Sequence, residues 1–416
     1  MVQKIYPQRE HQLPLKDIDP DALYVLQKLR DAGFIAYLVG GSVRDLLLKR
    51  RPKDYDISTS AQPEEIKRLF RNCILIGRRF RLAHIRFGKK TLEVSTFRTG
   101  DTEADALITR DNEWGTPEED VRRRDFTING LFYDASNQTI IDYVGGYSDI
   151  QKKYLRTIGQ PYLCFKQDPV RMIRLLKFQA RFGFEIDPDV RGALLDCRGE
   201  IIKSSQARIL EELFRMLESG SGAPFMRLMT ENGILQLLLP ALASFLETKE
   251  GDDVYAYLHE IDEVSHEKEI EEPSLDRSLL LSCLIYPFLE KHVKVHFLDQ
   301  DKIPHLGEIH KEAYAVTDEI FRPFFILPRR IRITMTEILT SQYRLIPLEK
   351  KRPVRLRIPN DPDFALALQF LSLRSYIEPG LKKVWEDWND LYIAPKQVAY
   401  KPRRRRSRGK PTKNHE

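Results

Sequence analysis

Leu38-Val39-Gly40-Gly41-Ser42-Val43-Arg44-Asp45, followed shortly by Pro52-Lys53-Asp54-Tyr55-Asp56, decides how this chain is read. The apolar run Phe34 to Val39 predicts a strand, the two glycines a tight turn, and Val43 to Leu48 a short helix. A second strand is expected over Tyr55 to Ser58. A glycine turn lets backbone N–H groups approach a phosphate closely, and a helix start adds favourable partial charge. Residues i and i+2 of a strand share a face, so Asp54 and Asp56 are expected side by side near a bound triphosphate. Mg2+ takes oxygen ligands from one or two carboxylates plus substrate phosphates. This is the equipment for nucleotidyl transfer by a two-metal mechanism. A Gly-Gly turn or an Asp-x-Asp strand alone is ordinary structure; their order and closeness carry the reading.

Outward from this stretch, Ala22 to Ala32 predicts an amphipathic helix ending at Gly33. Pro63 opens a helix over Glu64 to Phe70. Strands are expected at Ile74–Ile76, Ile85–Phe87 and Leu92–Phe97, the last with Glu93 and Ser95 on one face. The chain is thus mixed α/β to about Tyr143. Beyond Gly145-Gly146 helical patterns dominate: Val170–Phe182, Ala207–Ser219, Pro224–Leu239, Phe364–Ile377 and Leu381–Asp387. Glu247 to Asp253 and Glu267 to Glu272 read as loops or exposed helix faces, and Val354 to Ile358 as an extended loop. The expected architecture is an α/β head followed by an elongated helical body.

With 416 residues the chain has room for two to four structural units. It holds no apolar run of the roughly 18 residues a membrane span needs. Met1 to Pro14 is polar, without a signal-peptide core. Cys73, Cys164, Cys197 and Cys283 show no CxxC spacing and read as reduced thiols of a cytoplasmic protein. Net charge is +6, unevenly spread. Lys401 to Glu416 holds eight Lys or Arg against one acid, so this tail carries +7 and the other 400 residues sum to −1. Such a block repels itself and is expected to be disordered. Arg403, Arg404, Arg405, Arg406 and Arg408 are expected to bind RNA in a salt-dependent way; a solubility tail is the plainer alternative.

On the Gly40-Gly41-x-Val43-Arg44-Asp45 and Asp54-x-Asp56 motifs, the chain resembles the class II tRNA nucleotidyltransferase and bacterial poly(A) polymerase superfamily, which is built on a polymerase-β-like catalytic domain. The resemblance implies Asp54 and Asp56 as metal ligands for Mg2+. Arg122-Arg123-Arg124-Asp125-Phe126-Thr127-Ile128-Asn129 looks like the family's RRDxxxN motif. It implies Asp125 as a third catalytic carboxylate, and Arg123, Arg124 and Asn129 beside the triphosphate and ribose. Glu93 is the other candidate third carboxylate, and an ion pair with neighbouring arginines the plainer account of Asp125. Gly40, Gly41 and Arg44 are implied at the nucleotide, Arg44 as a bidentate phosphate donor, with Asp45 bracing the loop.

Gln167-Asp168-Pro169-Val170-Arg171 resembles the motif EDxxR, the amino-acid template for the incoming base. Carboxylate only accepts hydrogen bonds and guanidinium only donates. Asp168 and Arg171 can therefore read the edge of adenine or of cytosine and reject guanine and uracil. The competing account makes Asp168 a helix N-cap before Pro169 and Arg171 a surface charge. The chain departs from the motif at Gln167, where the family has Glu, which puts the bracing of Arg171 in question. Arg171, Arg174, Lys177 and Arg181 form a basic stripe facing either nucleotide and RNA or solvent, with Arg174 counted among the nucleotide-binding residues. Ala207 to Leu213 looks like the family's neck-helix motif, bracing the base-reading helix.

Within the superfamily, Leu75 to Ile85 resembles a segment characteristic of the bacterial poly(A) polymerases. Ile326 to Arg330, Leu371 to Arg374, the Trp385 and Trp388 helix and the Arg-rich tail resemble that group's C-terminal body. The expected division is a catalytic head over 1–150, a neck with the base-reading helix over 151–220, an RNA-binding helical body over 221–400 and the tail over 401–416. The implied activity is template-independent addition of AMP from ATP to RNA 3′ ends. The alternatives are a CCA-adding or A-adding tRNA nucleotidyltransferase and a catalytically inactive RNA-binding protein. Implied partners are RNA 3′ ends, ATP and proteins of the RNA-degradation machinery, with the chain a cytoplasmic monomer.

Overall fold

The computed structural model describes residues 3–77, 82–99, 113–267, 274–349 and 357–393. The basic tail, Arg78 to Arg81 and most of Val354 to Ile358 lie outside them. The head is built on an eight-stranded sheet, beside a short pairing of Arg98–Thr99 with Glu113–Trp114. Its strands run across the sheet in the order Lys4–Pro7, Thr139–Asp142, Leu131–Asp134, Ala36–Val39, Asp56–Thr59, Lys90–Thr96, Leu82–Phe87 and Cys73–Ile76. Asp56–Thr59 pairs antiparallel with Ala36–Val39 and parallel with Lys90–Thr96, in a register that sets Asp56 opposite Glu93. Leu92 and Val94 are buried while Glu93 and Ser95 are half-buried, the expected alternation. The helix Pro20–Asp31 packs Ala22, Val25, Leu26 and Leu29 into the core. Asp19 caps it, accepting from the Asp21 amide at 2.9 Å.

The Lys4–Pro7 strand is absent from the sequence-based expectations. Ile5-Tyr6 favours a strand, but four residues closed by Pro7 are too short a signal in a polar N-terminal stretch, and pairing with Thr139–Asp142 creates it. After the head the regular elements of the described residues are helical apart from the two-residue strands Tyr154–Leu155 and Glu185–Ile186, which pair with each other. Val170–Phe182 has the expected limits. Pro224 to Leu239, expected as one helix, breaks into Gly222–Glu231 and Leu235–Leu238 around Gly233, whose φ of 72° an α-helix does not allow. Glu247 to Asp253 leads into a helix, Gly251–Glu267. The body is centred on Arg277–His296, which buries nearly every side chain from Ser278 to Leu289 and so lies inside the bundle. Leu306–Phe321, Arg329–Leu345 and Phe364–Ile377 surround it. All four cysteines are buried free thiols. Among the described residues no helix is long and apolar enough to cross a membrane.

Candidate active site

The glycine turn follows directly from the strand Ala36–Val39. Gly40 has φ 67°, and a Cβ there would lie 3.2 Å from Arg124 Nη1. Glycine is thus required for the backbone angle and for the approach of Arg124. The next strand brings the carboxylates. Only Asp56 lies on it; Asp54 sits in the segment leading in. The expected sharing of a face nevertheless follows from Tyr55, which is buried and donates its hydroxyl to the Asp17 carbonyl at 3.1 Å, while Asp54 and Asp56 are exposed. Protein crowds the inner side of Asp56, and its carboxyl is pushed up to about 6, first by lost hydration and then by the charge of Glu93. Asp54 pushes the same way and Arg124 pulls against it. Glu93 is raised too, by lost hydration and by Asp54, against the pull of Arg98. Three carboxylates thus repel one another at one end of the sheet. A divalent cation relieves that repulsion, so the donor set fits the metal that nucleotidyltransferases use. Glu93 also lies 3.7 Å from His84.

The arginine motif is held from beneath by a residue that the sequence reading missed. Asp120 is fully buried and receives one edge of each guanidinium: Arg123 at 2.6 and 3.0 Å on one oxygen, Arg124 at 2.8 and 3.2 Å on the other. Burial works to raise this carboxyl, but Arg124 and Arg123 outweigh it and the net shift is downward. The available signal was local: Thr116 and Glu119 form a capping box around Pro117–Arg122, which sets Asp120 three and four residues before the two arginines. From Asp120, Arg124 reaches past Ser58 Oγ at 3.4 Å toward the turn. Close packing holds the motif in place, because a Cβ on Gly146 would lie 2.0 Å from the Thr127 carbonyl oxygen.

Arg44 is where the structure departs most from expectation. Its side chain is only 5% exposed. It donates to Asp45 at 2.9 Å and to Asn129 at 2.5 Å, and lies over Phe178 and Phe182 at 5.0 and 4.8 Å. A guanidinium committed in this way braces the loop. Asn129 is bracing as well, since its amide donates to Asp125 at 3.0 Å. Asp125 is also buried, with Arg174 Nη1 2.8 Å away, and its carboxyl is held low: burial would raise it, but Arg174 and Asn129 prevail. It accepts from Asn129 and the Phe126 amide within the head and pairs with Arg174 of the neck, so it links head to neck, and neither Asp54 nor Asp56 is among these partners. Of the two candidates, Glu93 is the one beside the pair.

Asp168 and Arg171, expected to read the base, lie side by side, Arg171 Nε 4.0 Å from Asp168 Oδ2. Pro169, not Asp168, occupies the N-cap position, and no side chain caps that helix. Asp168 instead accepts from Arg208 of the neck helix at 2.7 Å. Arg171 is nearly buried and donates to the Arg123 carbonyl at 3.0 Å and to Cys164 Sγ at 3.3 Å. These two contacts brace it where Gln167 replaces the family's glutamate. The rest of the basic stripe is neither a solvated face nor a free RNA surface. Arg174 faces Asp125 and, at 3.6 Å, Glu212; Lys177 bonds Glu212; Arg181 lies 3.1 Å from Asp45. Arg174 and Arg181 tie this helix to the head, Arg174 and Lys177 tie it to Glu212, and Arg208 and Glu212 give the Ala207 to Leu213 motif its bracing contacts.

Comparison with known proteins gives this geometry a context. Residues 36–156 match the family model described as the poly A polymerase head domain. Residues 183–246 match the probable RNA and SrmB-binding site of polymerase A, and 307–416 its arginine-rich C-terminus. The chain is 34% identical to poly(A) polymerase I of Salmonella typhi over 97% of this chain and 91% of that one. The corresponding enzyme of Haemophilus influenzae is 32% identical over 94% and 92%. The CCA-adding enzyme of Streptococcus gordonii is 38% identical, but over 56% of each chain. Among solved structures, the Bacillus stearothermophilus CCA-adding enzyme in complex with CTP superposes with a TM-score of 0.57 at 25% identity, over 90% of this chain and 84% of that one. The fold is shared with the CCA-adding enzymes, but sequence likeness runs nearly end to end only with the poly(A) polymerases among these relatives, and it shows the kinship: the chain belongs to the bacterial poly(A) polymerase family of nucleotidyltransferases.

Proposed function

We propose that this enzyme adds AMP residues from ATP to RNA 3′ ends without a template. The observation that carries the reading is the near-complete match to poly(A) polymerase I, on a site whose crowded carboxylates suit a metal-bound triphosphate. Asp54 and Asp56, with Glu93 adjacent, would hold Mg2+. When bound, the metal supplies charge neutralisation on the phosphates and a lowered pKa for the RNA 3′-hydroxyl. The chain's own residues do the rest. Arg123 and Arg124, fixed on Asp120, offer positive charge to the leaving pyrophosphate. Asp168 accepts from the adenine amino group while Arg171 donates to the adjacent ring nitrogen. The hydroxyl attacks the α-phosphate in line and pyrophosphate departs. Arg403 to Arg406 and Arg408 hold RNA through its phosphates, in a cytoplasmic protein.

The test is an extension assay on an oligoadenylate and on a tRNA lacking its 3′ end, each with ATP, CTP or both. Long products from ATP alone on the oligoadenylate are expected. Short CTP-dependent completion of the tRNA would assign a CCA-adding activity instead. Removing residues 401–416 is expected to flatten the salt dependence of RNA binding, and an unchanged slope would discard the role of the tail.

A further inference from the structure

A second group of metal-ligating side chains lies in the helical body, away from the carboxylates of the sheet. His292 and His296 stand one turn apart at the end of the helix Arg277–His296, on the same face. Glu312 and Glu319 lie on Leu306–Phe321, the helix packed against it. The Nδ1 atoms of His292 and His296 are 3.7 and 3.1 Å from the same oxygen of Glu312. His292 Nδ1 is buried and has no hydrogen-bond partner among the described residues. Its other nitrogen, Nε2, lies 3.6 Å from Glu319.

Plain ion pairing accounts for part of this, as it does for His310 and Glu337 at 3.4 Å. It leaves two features unexplained: two imidazoles converging on one carboxylate oxygen, and a buried nitrogen without a partner. Metal ligation accounts for both. Ligands about 2.0–2.2 Å from a tetrahedral zinc stand roughly 3.3–3.5 Å from one another, and 3.1 and 3.7 Å bracket that range. An imidazole whose far nitrogen faces a carboxylate has the outer contact that fixes ring orientation in metal sites, which is the position of Glu319. Two nitrogens and a carboxylate select zinc-type transition metals over Mg2+ or Ca2+. A groove of about 440 Å³ lined by Phe245, Phe288, Lys291, His292, His296 and Glu319 gives an ion a way in.

We propose that His292, His296 and Glu312 bind a transition-metal ion of the zinc type, oriented by Glu319, which staples the helix Leu306–Phe321 to the centre of the body. The site is separate from the nucleotidyl-transfer chemistry and is tested without it. The full chain is titrated with Zn2+ and, separately, with Co2+, in a large excess of Mg2+ that occupies the sheet carboxylates. One ion per chain, a visible four-coordinate Co2+ spectrum and a Zn2+-induced rise in melting temperature of about 5 °C are expected. His296→Gln alters a half-exposed side chain and is expected to fold. It should weaken Zn2+ binding at least tenfold, as should Glu312→Gln, with Glu319→Gln weakening it about tenfold and His310→Gln leaving it unchanged. Wild-type retention of Zn2+ no greater than that of a folded His292→Gln/His296→Gln chain would overturn the proposal.

Discussion

The two charged regions of this molecule are built on opposite terms. At the end of the head sheet, Asp54, Asp56 and Glu93 crowd together, and what is left between them is repulsion. Along the helix Val170–Phe182, Arg174, Lys177 and Arg181 each find a counter-charge. Charges of one sign held together mark the place where a ligand must supply the other sign. Charges matched in pairs mark architecture. A basic stripe at helical spacing therefore says little about nucleic acid until its counter-charges are located.

The sharpest way to break this contrast is at the carboxylates. Asp56→Ala is expected to lower turnover by about 10³-fold or more, matching a loss of several kcal/mol of metal-derived charge stabilisation. Its melting temperature should stay at or above wild type because a repelling charge is gone. A parallel loss of activity and stability would place Asp56 with the structural pairs. The opposite pattern is expected for Asp120→Ala, which strands two arginines and should cost about 3–5 kcal/mol in urea unfolding. A loss below about 1 kcal/mol would show that Arg123 and Arg124 do not depend on it.

A pH series separates the two regions further. The folded Asp56 carboxyl at about 6, against an ordinary 3.8, holds its proton more tightly than the unfolded chain does. Its contribution to stability is therefore fully present below about pH 4 and lost as pH rises to about 6. Without divalent metal, wild type minus Asp56→Asn should show that decline; with saturating Mg2+ it should vanish. A flat difference without metal would remove the crowding argument. The smallest effect belongs to Arg208→Ala at an exposed position of the neck helix, where the ion pair with Asp168 should change stability by less than about 1 kcal/mol. Its mark should appear in the ratio of ATP to CTP incorporation, and an unaltered ratio would mean that Asp168 is positioned without it.

The part of the site legible in the sequence is the part made locally. Strand, glycine turn and second strand are written within Phe34 to Ser58, and Val170–Phe182 has the limits its periodicity predicts. Apart from Asp45 beside Arg44, the partners of Arg44 and of the stripe were not legible, because Asn129 for Arg44, and Asp125, Glu212 and Asp45 for the stripe, come from segments that only the folded chain brings together. Asp120 could have been found, since its capping box and its spacing to Arg123 and Arg124 lie within a few residues. The helix break at Gly233 was also signalled, by Asn232-Gly233, but the apolar spacing on either side hid it.

The sandwich around Arg44 has a consequence for how the enzyme tells one nucleotide from another. Phe178 and Phe182, which hold that guanidinium, belong to the same helix as Arg171, and Arg181 of that helix holds Asp45. The helix proposed to read the base is thus bolted to the turn that follows the strand Ala36–Val39. A base that displaces this helix would displace the turn with it. On the proposed role of that helix, recognition and alignment would be mechanically in series, and a mismatched nucleotide would be penalised at the rate of bond formation and not only at the door.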